Sequence, residues 1–131
     1  GTAIGGKTYN ILNFRTMQPG MSGGISFAGT SAGFIALLLL AGCLYFILPV
    51  SYIELLWVVA TGMMGMLVDS FMGSRWQALW KLGDNWTEVL GTQPDGQLVK
   101  VLAWLDNHWV NFLSNAITMI FSYLLYVYFF F

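Results

Sequence analysis

The chain has 131 residues, 57% of them hydrophobic and only 8% charged, with a formal net charge of −1, whereas a soluble globular domain carries about 25% charged residues. That balance excludes a water-soluble fold and places the chain in a bilayer, and a charge so near zero gives no footing for nucleic acid. One cysteine, Cys43, set in an apolar run, excludes an intramolecular disulfide.

The first 24 residues lack the apolar core of a signal peptide. The chain opens at Gly1 with no initiator Met, which reads as a processed chain or a piece of a longer one. Residues 8–14 read as extended, and 18–24 as a loop rich in turn formers that empties into the first apolar run. Ser22, Gly23 and Gly24 in that loop are candidates for a phosphate cradle, because glycines expose backbone N–H groups and a helix start adds unpaired donors. A plain turn before a membrane helix accounts for the same residues.

Three stretches have the length of about 20 apolar residues that a spanning helix needs: 25–48, 52–73 and 110–131. They predict a single all-α integral membrane domain over 1–131. Three spans bury little against one another, so an upstream partner chain or a second copy is expected. Lys7 and Arg15 precede the first span, and Arg75, Lys81 and Lys100 lie between the second and third. The short connection near Pro49 has no cation, so the positive-inside rule puts the N-terminus and the 74–109 connection in the cytoplasm and the C-terminus outside.

In the second span Gly62, Gly65, Asp69 and Gly73 are spaced 3, 4 and 4, one helix face. Asp69 lies about 26 Å beyond the start of that span, at the edge of the hydrocarbon. Glycines admit close neighbours, so the carboxylate is expected to face protein; a solvated helix end or a buried cap is the plainer alternative. Trp76, Leu79, Trp80 and Leu82 give the next segment one apolar side, with Gln77 and Lys81 on the other, which predicts a short interfacial cytoplasmic helix. Residues 93–96 read as a turn, and 97–105 as a helix leading to Asp106. Asn107, Asn111 and Ser114 then fall at i, i+4 and i+7 on one face of the third span, and polar groups at such a place point into a bundle or a wet pocket.

A lone His108 and a lone cysteine leave little for a zinc site, and neither a P-loop nor a hydrolase elbow is present. What remains is Asp69 and Asp106, which suit a hard cation bridging to phosphates, and Arg15 or Arg75, which can grip phosphate oxygens as a fork. These are the parts of phosphoryl transfer by positioning and charge neutralisation.

Three runs of sequence, Pro19-Gly20-Met21-Ser22-Gly23-Gly24-Ile25-Ser26, Val68-Asp69-Ser70-Phe71-Met72-Gly73-Ser74-Arg75-Trp76-Gln77 and Leu105-Asp106-Asn107-His108-Trp109-Val110-Asn111-Phe112-Leu113-Ser114, resemble in that order the motifs of the transmembrane protein 19 family, which includes the phytyl-phosphate kinase of chloroplasts. The family pattern reads approximately Pro-x-Gly-x-x-Gly-Gly-Val-Ser, Val-Asp-Ser-x-Leu-Gly-Ala-x-x-Gln and Leu-Asp-Asn-x-x-Val-Asn-x-x-Ser. The resemblance runs from about Lys7 onward. It implies a kinase that moves a phosphoryl group from a nucleoside triphosphate, with cytidine triphosphate the expected donor, to an isoprenoid monophosphate such as phytyl phosphate, with Mg2+ as cofactor. Many members have no established activity. Gly23, Gly24, Asp69, Ser70, Gln77, Asp106, Asn107 and Asn111 match motif positions. Ser74-Arg75 stands where the family commonly has Ala-Thr, which sets Arg75 outside the shared pattern. Members carry further helices and an acidic motif upstream, so the resemblance implies that this chain is the C-terminal part of the family fold.

The expected site therefore comprises Asp69, Asp106, Asn107 and Asn111 for catalysis, the two carboxylates holding the cation. Arg15, Ser22, Gly23, Gly24, Ser70, Arg75, Gln77 and Ser114 are expected to contact substrate or nucleotide. The competing expectation is a non-enzymatic carrier of a lipid headgroup, or an assembly subunit.

Overall fold

A computed structural model describes residues 6–82, 85–87, 97–98, 102 and 104–130. It is built on three helices, α1 (Phe27–Ile47), α2 (Tyr52–Trp76) and α3 (Asn107–Phe130), all long and apolar enough to cross a membrane. Each helix begins on a cap that the sequence supplies. Ser26 Oγ accepts from Gly29 N at 3.1 Å, and Ser51 and Glu54 form a reciprocal capping box at the start of α2. Asp106 Oδ1 accepts from the His108 and Trp109 backbone N–H groups at 2.9 and 3.0 Å, satisfying donors that have no partner inside α3.

The helix α2 stands between the other two. A Cβ on Gly33 of α1 would press on Met66 Sδ, and one on Gly62 of α2 would strike Leu37, so α1 and α2 interlock at two glycines. Gly65 instead faces Thr118 of α3, and Gly73 faces the N-terminal loop. The glycine stripe does admit close neighbours, but three different ones. The helix α1 buries Ala41 and turns Phe34, Leu39 and Phe46 outward, as a helix in lipid must. Between α2 and α3 the far end is joined by polar groups: Trp57 Nε1 donates to Ser122 Oγ at 2.9 Å, that oxygen lies 2.7 Å from Thr61 Oγ1, and Tyr126 OH donates to Glu54 Oε1 at 3.3 Å. Such bonds between membrane helices are worth about 0.6 kcal/mol each.

Two small antiparallel sheets flank the helices. One has the order β2-β1-β3, from β1 (Thr8–Asn10), β2 (Thr16–Met17) and β3 (Gly24–Ile25), so the extended reading of 8–14 holds for 8–10, while 11–13 form a turn and Phe14 takes φ 55°. The other has the order β5-β4-β6, from β4 (Trp80–Leu82), β5 (Asn85–Thr87) and β6 (Gln97–Leu98). This corrects two expectations. No helix lies over 76–82: Trp76 is the last residue of α2, and Trp80 to Leu82 pair with strands on both sides. Gln97 and Leu98 are likewise strand, where a helix was expected. The cause is long-range, since Ala78 N donates to Leu105 O at 2.9 Å and Gln77 and Ala78 are buried, which pulls the chain off the surface directly after α2. The expected turn at 93–96 and Lys100 lie outside the described residues.

The strand-bearing end is where α1 and α3 begin and α2 finishes, and Lys7, Arg15, Arg75 and Lys81 all belong to it. An apolar cluster of Met72, Leu105 and Val110, with Val68 and Leu113 against it, closes the α2–α3 interface there. In a Cys43→Ala background, a cysteine replacing Lys7 is expected to react with an impermeant thiol reagent only from the cytoplasm, and one replacing the exposed Pro49 only from the opposite face. Labelling of both from one side would break the three-span arrangement, and the reverse pattern would invert its orientation.

Candidate functional site

The first motif lies directly on the second. Asn10 closes the turn after β1, its N–H donating to Arg15 O at 2.9 Å, and its Oδ1 accepts from Leu12 N at 2.8 Å and from Ser74 Oγ at 2.9 Å. Gly23 holds φ +82°, and a Cβ there would run into the backbone and Cβ of Ser74. On the other side of the contact, a Cβ on Gly73 would stand 3.0 Å from Gly23 N and 3.1 Å from Ser22 Cβ. Gly24 is as crowded, with Thr8 Cγ2 at 2.6 Å from the place a Cβ would take. The immediate use of Gly23 and Gly73 is thus to let a loop and a helix touch backbone to backbone, while Gly24 admits Thr8 inside the N-terminal sheet.

Beside that contact, where α1 begins, opens a cavity of about 310 Å³. It is lined by the polar Thr8, Ser26, Thr30 and Ser70, by Met21 and Ile25 of the segment before α1, and by Met66 and Leu67 of α2. A larger cavity of about 710 Å³ lies between α2 and α3. Asp69 lines it together with Asn111, Ser114, Asn115 and Thr118, and the polar groups at Trp57, Thr61, Ser122 and Tyr126 continue it toward the far end. Ser114, only 1% exposed, donates from Oγ to Asp69 Oδ1 and shares that hydroxyl with Asn111 O, both at 3.1 Å.

The expected residues are therefore divided between two places. Gly24 and Ser70 belong to the first cavity, and Asp69, Asn111 and Ser114 to the second. Asp69 and Ser70 are successive on a helix, about 100° apart around its axis, and must look at different neighbours. Ser22 and Gly23 lie in the contact with Gly73 and Ser74. Asp106 and Asn107 are exposed at the start of α3 and line neither cavity. Arg15 and Arg75 are exposed and also line neither. Gln77, 1% exposed, is the C-cap of α2 beside the Ala78–Leu105 link. Among the described residues no three His, Cys, Asp or Glu side chains come together, so a cation at this end would need neutral oxygens or ligand phosphates to complete its shell.

Sequence reasoning missed Asn10 and Ser74, whose bond spans 64 residues and leaves no local signal. It also stopped one turn short on α3. Asn115 belongs to the same polar stretch in the sequence, and Thr118 continues the Asn111–Ser114 face at helical spacing beyond it.

A model of the family described as integral membrane protein DUF92 matches residues 1–119, a span that contains every candidate residue from Arg15 to Ser114. No curated protein and no solved structure matches the chain.

Proposed function

The chain belongs to the DUF92 family of integral membrane proteins, and from that membership, together with the resemblance of its three motifs, we propose that it transfers a phosphoryl group from a nucleoside triphosphate, cytidine triphosphate in the first instance, to an isoprenoid monophosphate such as phytyl phosphate. The observation that carries the reading is the cavity at the start of α1. Its lining offers the hydroxyls of Thr8, Ser26, Thr30 and Ser70 beside the N-terminal end of a 21-residue helix, whose dipole favours an anion. The apolar side chains of Met66 and Leu67 on α2 share the same lining. A lipid phosphate has the same two-part character.

In this reading Ser26, Thr30 and Ser70 hold the acceptor phosphate while the isoprenoid tail lies along Met66 and Leu67 in the hydrocarbon. The acceptor oxygen is already anionic and attacks the terminal phosphorus of the donor with no base required. The bond from that phosphorus to the bridging oxygen breaks, and the nucleoside diphosphate leaves with the electron pair. Asp69 gives this end a negative charge that attracts a cation, Mg2+ in the expected reaction, which when bound would neutralise the donor phosphates. Asn111 orients groups by hydrogen bonds from the opposite helix. Asp106 fixes where α3 begins and so where Asn111 and Ser114 stand.

The test is reconstitution in lipid, with any chain that co-purifies, using Mg2+, labelled cytidine triphosphate and phytyl or geranylgeranyl monophosphate. Diphosphate formation is expected. Absence of turnover with any triphosphate, while phytyl phosphate still binds, would replace the kinase reading by that of a headgroup carrier.

A further inference from the structure

We propose that the cavity between α2 and α3 seats a hard divalent cation on Asp69 and the amide and hydroxyl oxygens of α3, rather than on the Asp69–Asp106 pair. Asn111, Ser114, Asn115 and Thr118 fall at i, i+3, i+4 and i+7, one helix face, and all line the cavity opposite Asp69. Carboxylate, amide and hydroxyl oxygens are the donors that such a cation takes. Among the described residues the Asp69 carboxylate accepts one hydrogen bond, from Ser114, out of about four lone-pair sites, so most of its capacity is open to the cavity.

Two further observations point to an occupant. Thr118 lines the cavity and is 5% exposed, and among the described residues its buried Oγ1 has no hydrogen-bond partner. A buried hydroxyl inside a bilayer is costly to leave unmatched. Across from it, a Cβ on Gly65 would stand 3.6 Å from Thr118 Cγ2, an ordinary contact. Close packing therefore does not demand glycine at 65, and a side chain there would occupy space that Gly65 and Thr118 line. Asp106 is engaged elsewhere, capping α3 with Oδ1 and lining neither cavity. One carboxylate with neutral oxygens leaves a cation with positions for water or phosphate, the usual state of Mg2+ in phosphate-handling sites. The inference rests on the proposed function only for the phosphates that would fill those positions.

The experiment is Mn2+ binding to the full chain in lipid nanodiscs without nucleotide, followed by electron paramagnetic resonance. Asp69→Asn and Asn115→Leu are each expected to weaken binding at least ten-fold, and the near-isosteric Thr118→Val several-fold. Asp106→Asn, which retains a capping side chain, is expected to bind as the wild type does. Wild-type affinity in Asn115→Leu, equal losses in Asp106→Asn and Asp69→Asn, or no Mn2+ binding by the wild type would each overturn the assignment. Mn2+ binding with no kinase turnover would count against the reaction alone, so the two failures are distinguishable.

Discussion

Gly23→Ala is expected to destabilise the protein by more than about 3 kcal/mol, the largest single-residue effect on folding at this end of the molecule. Two costs combine. A left-handed φ costs alanine about 1–2 kcal/mol, and the new methyl meets the backbone of Ser74, where nothing flexible can give way and overpacking adds about 1–3 kcal/mol. The loop would lift from α2, and with it Asn10 from Ser74. Hydrogen exchange in nanodiscs reads the outcome: amides of 8–25 and of the last turn of α2 should lose protection together. Gly42→Ala is the control, since among the described residues no atom beyond its own helical turn lies within 4 Å of its Cβ position and alanine in a helix is favoured over glycine by about 0.5–1 kcal/mol. Equal stability of Gly23→Ala and wild type would mean that the loop does not rest on α2.

Asp69→Asn should abolish measurable turnover, by about a hundred-fold or more, while the protein still inserts and purifies. The fold should survive because an asparagine oxygen can accept the Ser114 hydroxyl as Asp69 Oδ1 does. What is lost is charge. A charge-assisted hydrogen bond contributes about 1.5–3 kcal/mol, ten- to a hundred-fold in affinity, and a group that meets a cation and transferring phosphates makes several such contacts. Initial rates of diphosphate formation at saturating triphosphate measure the effect. Undiminished turnover would make Asp69 a structural acceptor for Ser114 and nothing more.

The spans were legible because hydropathy integrates over twenty residues and needs no tertiary information. So was the polar face of α3, since its helix imposes the spacing that brings Asn111 and Ser114 together. The cap at Asp106 is a local pattern too, an Asp at the threshold of a helix, yet its type equally suits a cation ligand and only geometry shows the capping bonds. The strand at Trp80 to Leu82 was not legible. Trp76, Leu79 and Trp80 share helical spacing because Trp76 belongs to α2, while the turn beyond it is dictated by the distant Leu105. Periodicity likewise put Gly62, Gly65, Asp69 and Gly73 on one face but could not say that this face meets α1, α3 and the loop in succession. For that reason the separation of Asp69 from Ser70 into two cavities appears only in three dimensions.

The paired glycines between α1 and α2 act as an index. Beyond Thr30 and Ser31 near its start, the α1 surface carries apolar side chains on every side, so lipid gives the helix little preference for one rotation about its axis over another. Its setting comes from two reciprocal sockets, Gly33 receiving Met66 and Gly62 receiving Leu37. Turning α1 by the roughly 100° of one residue would empty both at once. Thr30 lies one turn from Gly33, and Ser70 one turn beyond Met66. The two sockets thus phase the hydroxyls of the first cavity against one another, and bulk introduced at Gly33 would reach the headgroup end as a change of angle rather than a loss of contact.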